Sequence, residues 1–354
     1  MSPPMFDEQQ WRTKVLSADP ALLYAPHFKE GKFFNPWMPE KDRGFLKLLR
    51  WRLLPRPEYS ALERCYLPEV SDTAYEKVSS APKGDFILWI GHATFLIRIN
   101  GQYWLTDPMF SERALIPRRK TPPALTVKQI KDLIPRLNVI ISHNHYDHLD
   151  RHSLQELPHA SNIFVPLGLG EYVREMNKGT VTEMDWWQNI SCGDGITLVC
   201  LPMQHWSRRL GQGHNETLWA SFLLITPTVK IYFGGDTGYF IGYREIGRKY
   251  AGIDYAVLPI TAYHPRWFMH YAHMNVDEAI EAFKDLGARF MIPQQWGTFH
   301  LGDDPVGYAA LELKRKIAGS NHDPSRILIL DIGELHFLET TEIDLGYNSS
   351  ISGR

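Results

Sequence analysis

The chain has 354 residues, 44% hydrophobic and 22% charged, the balance of a soluble globular protein long enough for one large core or two modest ones. A formal net charge of −2 gives no general attraction to nucleic acid, so no nucleic-acid partner is expected. Three scattered cysteines, Cys65, Cys192 and Cys200, argue against a disulfide framework and a thiolate zinc site, and point to a reducing, cytoplasmic compartment.

Met1 to Gln10 carries acidic and polar groups without the apolar stretch of a secretory signal, and no apolar run approaches the ~20 residues that cross a bilayer. Residues 1–80, rich in Pro, Trp and charge, read as an N-terminal extension wrapping the core. Within it, residues 44–54 are basic and apolar and stop before Pro55. Two readings stay open there. One is an amphipathic helix packed on its own domain; the other is peripheral membrane contact, with Trp51 and the leucines in the interface and the cations at headgroups.

From Asp85 short apolar strands begin, at Phe86–Ile90 and Phe95–Ile99, and Asn100-Gly101 turns the chain into Tyr103–Leu105. Further strands are expected at Val139–Ile141, Ile163–Val165, Thr197–Leu201, Ser221–Thr226, Lys230–Phe233, Tyr255–Pro259, Phe290–Ile292 and Arg326–Leu330. Helices are expected at Thr126–Leu133, Gly168–Met176, Pro305–Ala318 and Val276–Leu286. The last has Asn275 as N-cap and Gly287 past its end. This alternation predicts an α/β protein of layered sheets covered by helices. Residues 81–345 form one domain in this reading, and 346–354 a flexible tail.

After the strand at Val139–Ile141 comes His143-Asn144-His145-Tyr146-Asp147-His148, three histidines and an aspartate in six positions. Imidazole and carboxylate are the usual ligands of zinc and related metals where thiolates are missing. Four such ligands on one short loop exceed what a single ion can take, which points to two adjacent ions.

His143-x-His145-x-Asp147-His148 resembles the HxHxDH signature of the metallo-β-lactamase superfamily. The resemblance narrows to the N-acyl-phosphatidylethanolamine-hydrolysing phospholipase D family through Leu88–Thr94, Leu105–Pro108, Gln204-His205-Trp206, Gly235–Tyr239, Pro265–Met269, Trp296–Phe299 and Phe34–Trp37. It implies a metallo-β-lactamase αβ/βα sandwich, two facing sheets with helices outside and the metals at one edge. Carried over position by position, His143, His145 and His205 would bind one zinc, Asp147 and His148 the other, and Asp236 both. Gln295 stands where the family has its last histidine. It would bind through its oxygen or a water, be replaced by His300, or leave the second zinc loosely held, and the last is favoured.

The resemblance further implies a phospholipase D type zinc phosphodiesterase. Hydroxide held by the metals would attack phosphorus and release phosphatidic acid and an N-acylethanolamine. Asp147 and Asp236 would hold the nucleophile and take its proton, and His273 would protonate the leaving group. Asp107 would accept a hydrogen bond from a ligand imidazole. Arg266 is either a phosphate contact or a surface charge. Partners implied are a phospholipid substrate, a membrane surface and a second copy of the chain. The alternatives are a lactonase, cyclic phosphodiesterase or nuclease on the same fold, or a non-catalytic metal- or lipid-binding protein with a degraded second site.

Overall fold

The computed structural model describes residues 5–39, 45–81, 84–159, 161–319 and 323–339. The expected tail at 346–354 and Gly44 lie outside these. The extension contributes α1 (Glu8–Leu16), the two-residue strands β1 (Phe28–Lys29) and β2 (Lys32–Phe33), then α2 (Phe45–Leu53), α3 (Ala61–Cys65) and α4 (Ala74–Ser80). Next come β3 (Phe86–Gly91), β4 (Thr94–Ile99), β5 (Gln102–Thr106), α5 (Val127–Leu133), β6 (Asn138–Ile140), α6 (Arg151–Glu156), β7 (Asn162–Pro166), α7 (Gly170–Arg174) and β8 (Thr180–Met184). The second half runs β9 (Asn189–Ser191), β10 (Thr197–Leu201), β11 (Ser221–Ile225), β12 (Lys230–Phe233), α8 (Gly242–Lys249) and β13 (Tyr255–Pro259). It ends with α9 (Arg266–Met269), α10 (Val276–Leu286), β14 (Phe290–Gln294), α11 (Tyr308–Ala318) and β15 (Leu335–Phe337).

The strands form a seven-stranded sheet ordered β15-β3-β4-β5-β6-β7-β8 and a six-stranded sheet ordered β14-β13-β12-β11-β10-β9. Both are mixed, and their directions matter. In the first sheet β4 is antiparallel to both β3 and β5, while β5 and β6 are parallel, so β3, β5 and β6 run the same way. In the second, β10 and β12 are each antiparallel to β11, and β12, β13 and β14 are parallel, so β10, β12 and β14 also share a direction. The loops that leave these six strands carry His92, Asp107, the 143–148 run, His205, Asp236 and Gln295. Strand direction therefore delivers all the candidate residues to strand ends of one kind, where open sheets place ligands.

Alternation along β3 explains why its run is apolar throughout. Ile87 and Trp89 join the main core between the sheets, whereas Phe86, Leu88 and Ile90 face a second core under α5, α6 and α7. Each such fully buried side chain contributes about 1.5–3 kcal/mol of transfer free energy. Asn275 and Glu278 form a capping box at the start of α10, and Gly287 closes it at φ 61°. The helix buries Val276, Ala279, Ile280, Phe283 and Leu286 on one side.

The extension is tied to the same core, to which Trp11, Val15, Leu23, Phe33, Trp37 and Met38 belong. In α2, Leu46, Leu49 and Leu53 are exposed, but Trp51 is buried, with its Nε1 donating to Asp303 Oδ2 at 2.9 Å and its ring 5.1 Å from Phe268. Of the two readings of residues 44–54, Trp51 follows the packed helix: its indole NH and ring both find partners inside. Arg326–Leu330 is not a strand. Pro324–Arg326 is a 3-10 turn capped by Asp323, and only Ile327 makes a bridge, to Met291. Proline without an N–H and an aspartate cap favour the turn over a ladder.

Candidate metal centre

Among the described residues, two groups could hold an ion: His143, His145, His205 and Asp236, and beside them His92, Asp147 and His148. The first starts where β6 ends. Ser142 N donates to Asp107 Oδ1 at 2.7 Å, and Ser142 Oγ to Asp107 Oδ2 at 2.6 Å. That hydroxyl has spent its proton on the carboxylate, so it accepts from His143 Nδ1 at 2.9 Å. His143 therefore carries its proton on Nδ1 and presents a bare Nε2. His205 is fixed likewise, because its Nδ1 lies 3.2 Å from the carbonyl of Ala272, which can only accept.

The bare Nε2 atoms of His143 and His205 lie 2.8 and 3.2 Å from Nδ1 of His145. One proton cannot satisfy three nitrogens that meet this way, whereas a cation takes all three lone pairs. His145 Nε2, on the far side of its ring, is buried without a hydrogen-bond partner. The donor set thus fits a divalent metal. Burial, with His148, His145 and His205 close by, holds the His143 imidazole well below its ordinary pKa, and burial brings His145 down to about 4. Both are bare and ready to ligate at neutral pH.

The second group is built on carboxylates. His148 Nδ1 donates to Asp107 Oδ2 at 2.6 Å, which turns Nε2 towards Asp147 Oδ2 at 3.4 Å and Asp236 Oδ1 at 3.2 Å. Burial alone would lower the His148 pKa, but Asp236, Asp147 and Asp107 together carry it well above the usual value. Burial works against ionising Asp147 and Asp236, yet His148 holds both well below the carboxylate range. Asp236 faces both groups: its Oδ2 is 3.9 Å from His143 Nε2 and 3.8 Å from His205 Nε2. Gly235 makes that approach possible at φ 59°, where a Cβ would lie 2.8 Å from Ser142 Cβ.

Gln295 reaches the second group, with its Nε2 in contact with Asp236 Oδ1 and 3.3 Å from His148 Nε2. His300 is exposed and does not join the described groups, so the reading in which it replaces Gln295 is not supported. His273 lies beside the first group, its ring 5.5 Å from that of His205. Arg266 is neither a phosphate contact nor a surface charge. It is buried, its guanidinium pairs with Glu8 and Glu278, and Nη1 donates to the His273 carbonyl at 3.2 Å. Of the flanking aromatic residues, Trp186 and Trp296 are buried and packed in the core, and Trp206 lies edge-on to His145 with ring centroids 4.4 Å apart.

Three supporting residues escaped sequence reasoning. Ser142 fixes the His143 tautomer, and its place between strand and motif is the one signal that could have found it. Asn35 of the extension donates to the His205 carbonyl at 3.0 Å and accepts from Trp219 Nε1. Arg209 Nη1 donates to the carbonyls of Asn144 and Leu149 and holds the motif loop. These partners are distant in sequence, and spacing alone cannot pair them.

Residues 103–296 match the family described as the beta-lactamase superfamily domain. N-acyl-phosphatidylethanolamine-hydrolyzing phospholipase D 1 of Caenorhabditis elegans is 34% identical over 271 residues, 71% of this chain and 75% of its own. The mitochondrial N-acyl-phosphatidylethanolamine-hydrolyzing phospholipase D of Saccharomyces cerevisiae is 32% identical over 276 residues, 73% of this chain and 56% of its own. An isothiocyanate hydrolase from Delia radicum gut bacteria superposes with a TM-score of 0.59 at 18% identity, covering 72% of this chain and 100% of that one. Igni18, a metallo hydrolase from Ignicoccus hospitalis, gives 0.56 at 19% identity, over 73% and 99%. At these identities the structural likenesses speak for the fold.

Proposed function

Because the chain belongs to the N-acyl-phosphatidylethanolamine-hydrolysing phospholipase D family of the beta-lactamase superfamily, and so to the metal-dependent hydrolases, we propose that it is a zinc phosphodiesterase cleaving N-acyl-phosphatidylethanolamine or a related phospholipid. The observation that carries this reading is Asp236, whose Oδ2 faces Nε2 of His143 and of His205 while Oδ1 faces His148 in the second group.

His143, His145, His205 and Asp236 would hold one cation, and Asp147, His148 and Asp236 a second. When bound, zinc supplies Lewis acidity that polarises phosphoryl oxygens and acidifies water. The chain's own groups handle the protons. Water oxygen bonds to phosphorus as the bond from phosphorus to the N-acylethanolamine oxygen breaks, leaving phosphatidic acid. The proton lost by water passes to Asp147 or Asp236, and His273 gives one to the departing oxygen. Arg266 holds the His273 backbone from behind, and Asp107, through Ser142 and His148, keeps two imidazoles in the tautomer that faces the site.

A lipid substrate suits the exposed Leu46, Leu49 and Leu53 of α2, with Arg50 and Arg52 on the same helix. That face supports peripheral contact of a cytoplasmic protein with a membrane surface. No described helix is long and apolar enough to cross a membrane.

The test is hydrolysis by zinc-loaded protein of N-acyl-phosphatidylethanolamine in mixed micelles, beside a lactone, a cyclic nucleotide and single-stranded DNA. Release of phosphatidic acid with the lipid turned over best is expected. Turnover of another substrate alone would move the chain to that activity. Gln295 favours one second reading, a metal- or lipid-binding protein without catalysis, and lipid binding without turnover of any substrate would select it.

A further inference from the structure

We propose that His92 joins His148 as a second imidazole ligand of the second cation in this chain, and that Gln295 is a hydrogen-bond donor to Asp236 rather than a ligand. The inference deepens the proposed function, resting on it only in taking divalent cations as the cofactor.

Gln295 is inside the second group, but the chemistry of its neighbours sets which end of its amide points there. An ionised carboxylate oxygen has no proton to give, so the amide group against Asp236 Oδ1 is the NH2. That nitrogen has no lone pair free for a metal. The same NH2 lies 3.3 Å from His148 Nε2. Gln295 sits at φ 72°, and its N–H donates to the carbonyl of His92 at 3.1 Å. The two residues are thus locked together through the backbone.

His92 can supply what the amide lacks, because an imidazole, unlike an amide, can carry its proton on Nδ1, here buried with no hydrogen-bond partner, and leave Nε2 with a lone pair. Its Nε2 lies 3.1 Å from Asp147 Oδ2, and its ligand atom falls within 4.8 Å of those of Asp147 and His148. The residue is completely buried and held at φ 55°, a left-handed conformation that is strained for a non-glycine residue. Three contacts maintain it. His92 N donates to Thr298 Oγ1 at 3.1 Å, Trp89 Nε1 donates to the His92 carbonyl at 2.9 Å, and Phe299 meets the imidazole edge-on at 5.1 Å. Such a conformation persists only where its surroundings impose it, and here they aim Nε2 at Asp147. With Asp147, His148 and Asp236, His92 completes a set of two imidazoles and two carboxylates, a four-ligand shell suited to zinc.

Zinc content by plasma emission, after dialysis against buffered free zinc, tests the assignment on the full-length wild type, His92→Ala, Gln295→Ala and Gln295→His. Two ions per chain are expected in the wild type and in Gln295→Ala. His92→Ala should keep the first ion, which also reports that it folds. Its second should weaken by more than the roughly 10–100-fold that an outer hydrogen-bond partner contributes. In the double variant His92→Ala/Gln295→His the second ion should return. Cobalt-substituted protein gives a readout that a purely positioning role for His92 would not move. Its proton spectrum should hold a paramagnetically shifted imidazole N–H signal, besides those of His143, His145, His148 and His205, that vanishes in His92→Ala. One ion in the wild type, loss of the second ion in Gln295→Ala but not His92→Ala, or absence of the extra signal overturns the assignment and leaves the proposed function standing. Two ions behaving as expected, without phospholipid turnover, would remove the function and leave the assignment intact.

Discussion

The two halves of the metal centre are built by different means. Around His143, His145 and His205, three ring nitrogens converge, and Ser142 and the Ala272 carbonyl set the tautomers of His143 and His205. Around His148, three carboxylates press on one imidazole, and an amide stands close by. The first half assembles lone pairs and the second assembles negative charge. Asp236 belongs to both. An ion leaving the first half exposes imidazoles to protonation, whereas an ion leaving the second strands carboxylates that can share protons with His148. The halves should therefore fail differently.

The sharpest way to break the comparison is to remove a lone pair from the first half. His145→Ala leaves two nitrogens where three converge, and should abolish binding of the first ion and lower lipid hydrolysis by at least about 10³-fold, read as kcat/KM with and without added zinc. If activity survives, the first half is dispensable and the comparison is reversed.

Acid should separate the halves in chelator-treated protein. The folded pKa of His145 is brought down from 6.5 to about 4 by burial, so the unfolded chain binds more protons across that window and stability is lost as pH falls through it. The loss is on the order of 3 kcal/mol. His148 has the opposite sign: its raised folded pKa contributes stability that is complete below 6.5 and disappears as pH rises through the folded value. Urea titrations of wild type and His145→Phe should show the acid-side slope flatten in the variant. An unchanged slope would contradict the bare-imidazole account.

Asp107→Asn sharpens the contrast from outside, since Asp107 accepts from both Ser142 and His148. Loss of metal affinity by roughly 10–100-fold is expected, measured by competition with a chelating dye, and larger at the second ion, whose imidazole it holds directly. The smallest effect belongs to Asn35→Ala, which removes a donor from the His205 carbonyl and should lower stability by about 1–3 kcal/mol in thermal melts. It should weaken the first ion and leave the second unchanged.

Most of the fold was legible because its strands are apolar on both faces. Runs such as Phe86–Ile90 and Tyr255–Pro259 are buried throughout, and the capping box of α10 marks its own start. The αβ/βα sandwich follows from that pattern and the family resemblance. The strands overlooked, β1, β2, β8, β9 and β15, are largely half-buried or exposed, so their sequences lack an apolar signature. α8 was hidden by glycines at Gly242 and Gly247. At the metal centre the dense motif announced itself, and His205 and Asp236 came by resemblance. Tautomers were illegible, because they depend on acceptors such as Ala272 and Asp107 that only the fold brings near. The two readings of residues 44–54 stayed open for a related reason: an amphipathic helix shows two faces, and sequence does not say which one the loop at Asp303 will meet.

Anomalous diffraction at the zinc edge from crystals of the zinc-loaded chain tests the central claim most directly. Two peaks, one among His143, His145 and His205 and one beside His148, with an Asp236 oxygen on each, are predicted. No peak at either position, or a single peak that leaves Asp236 uncoordinated, would contradict it.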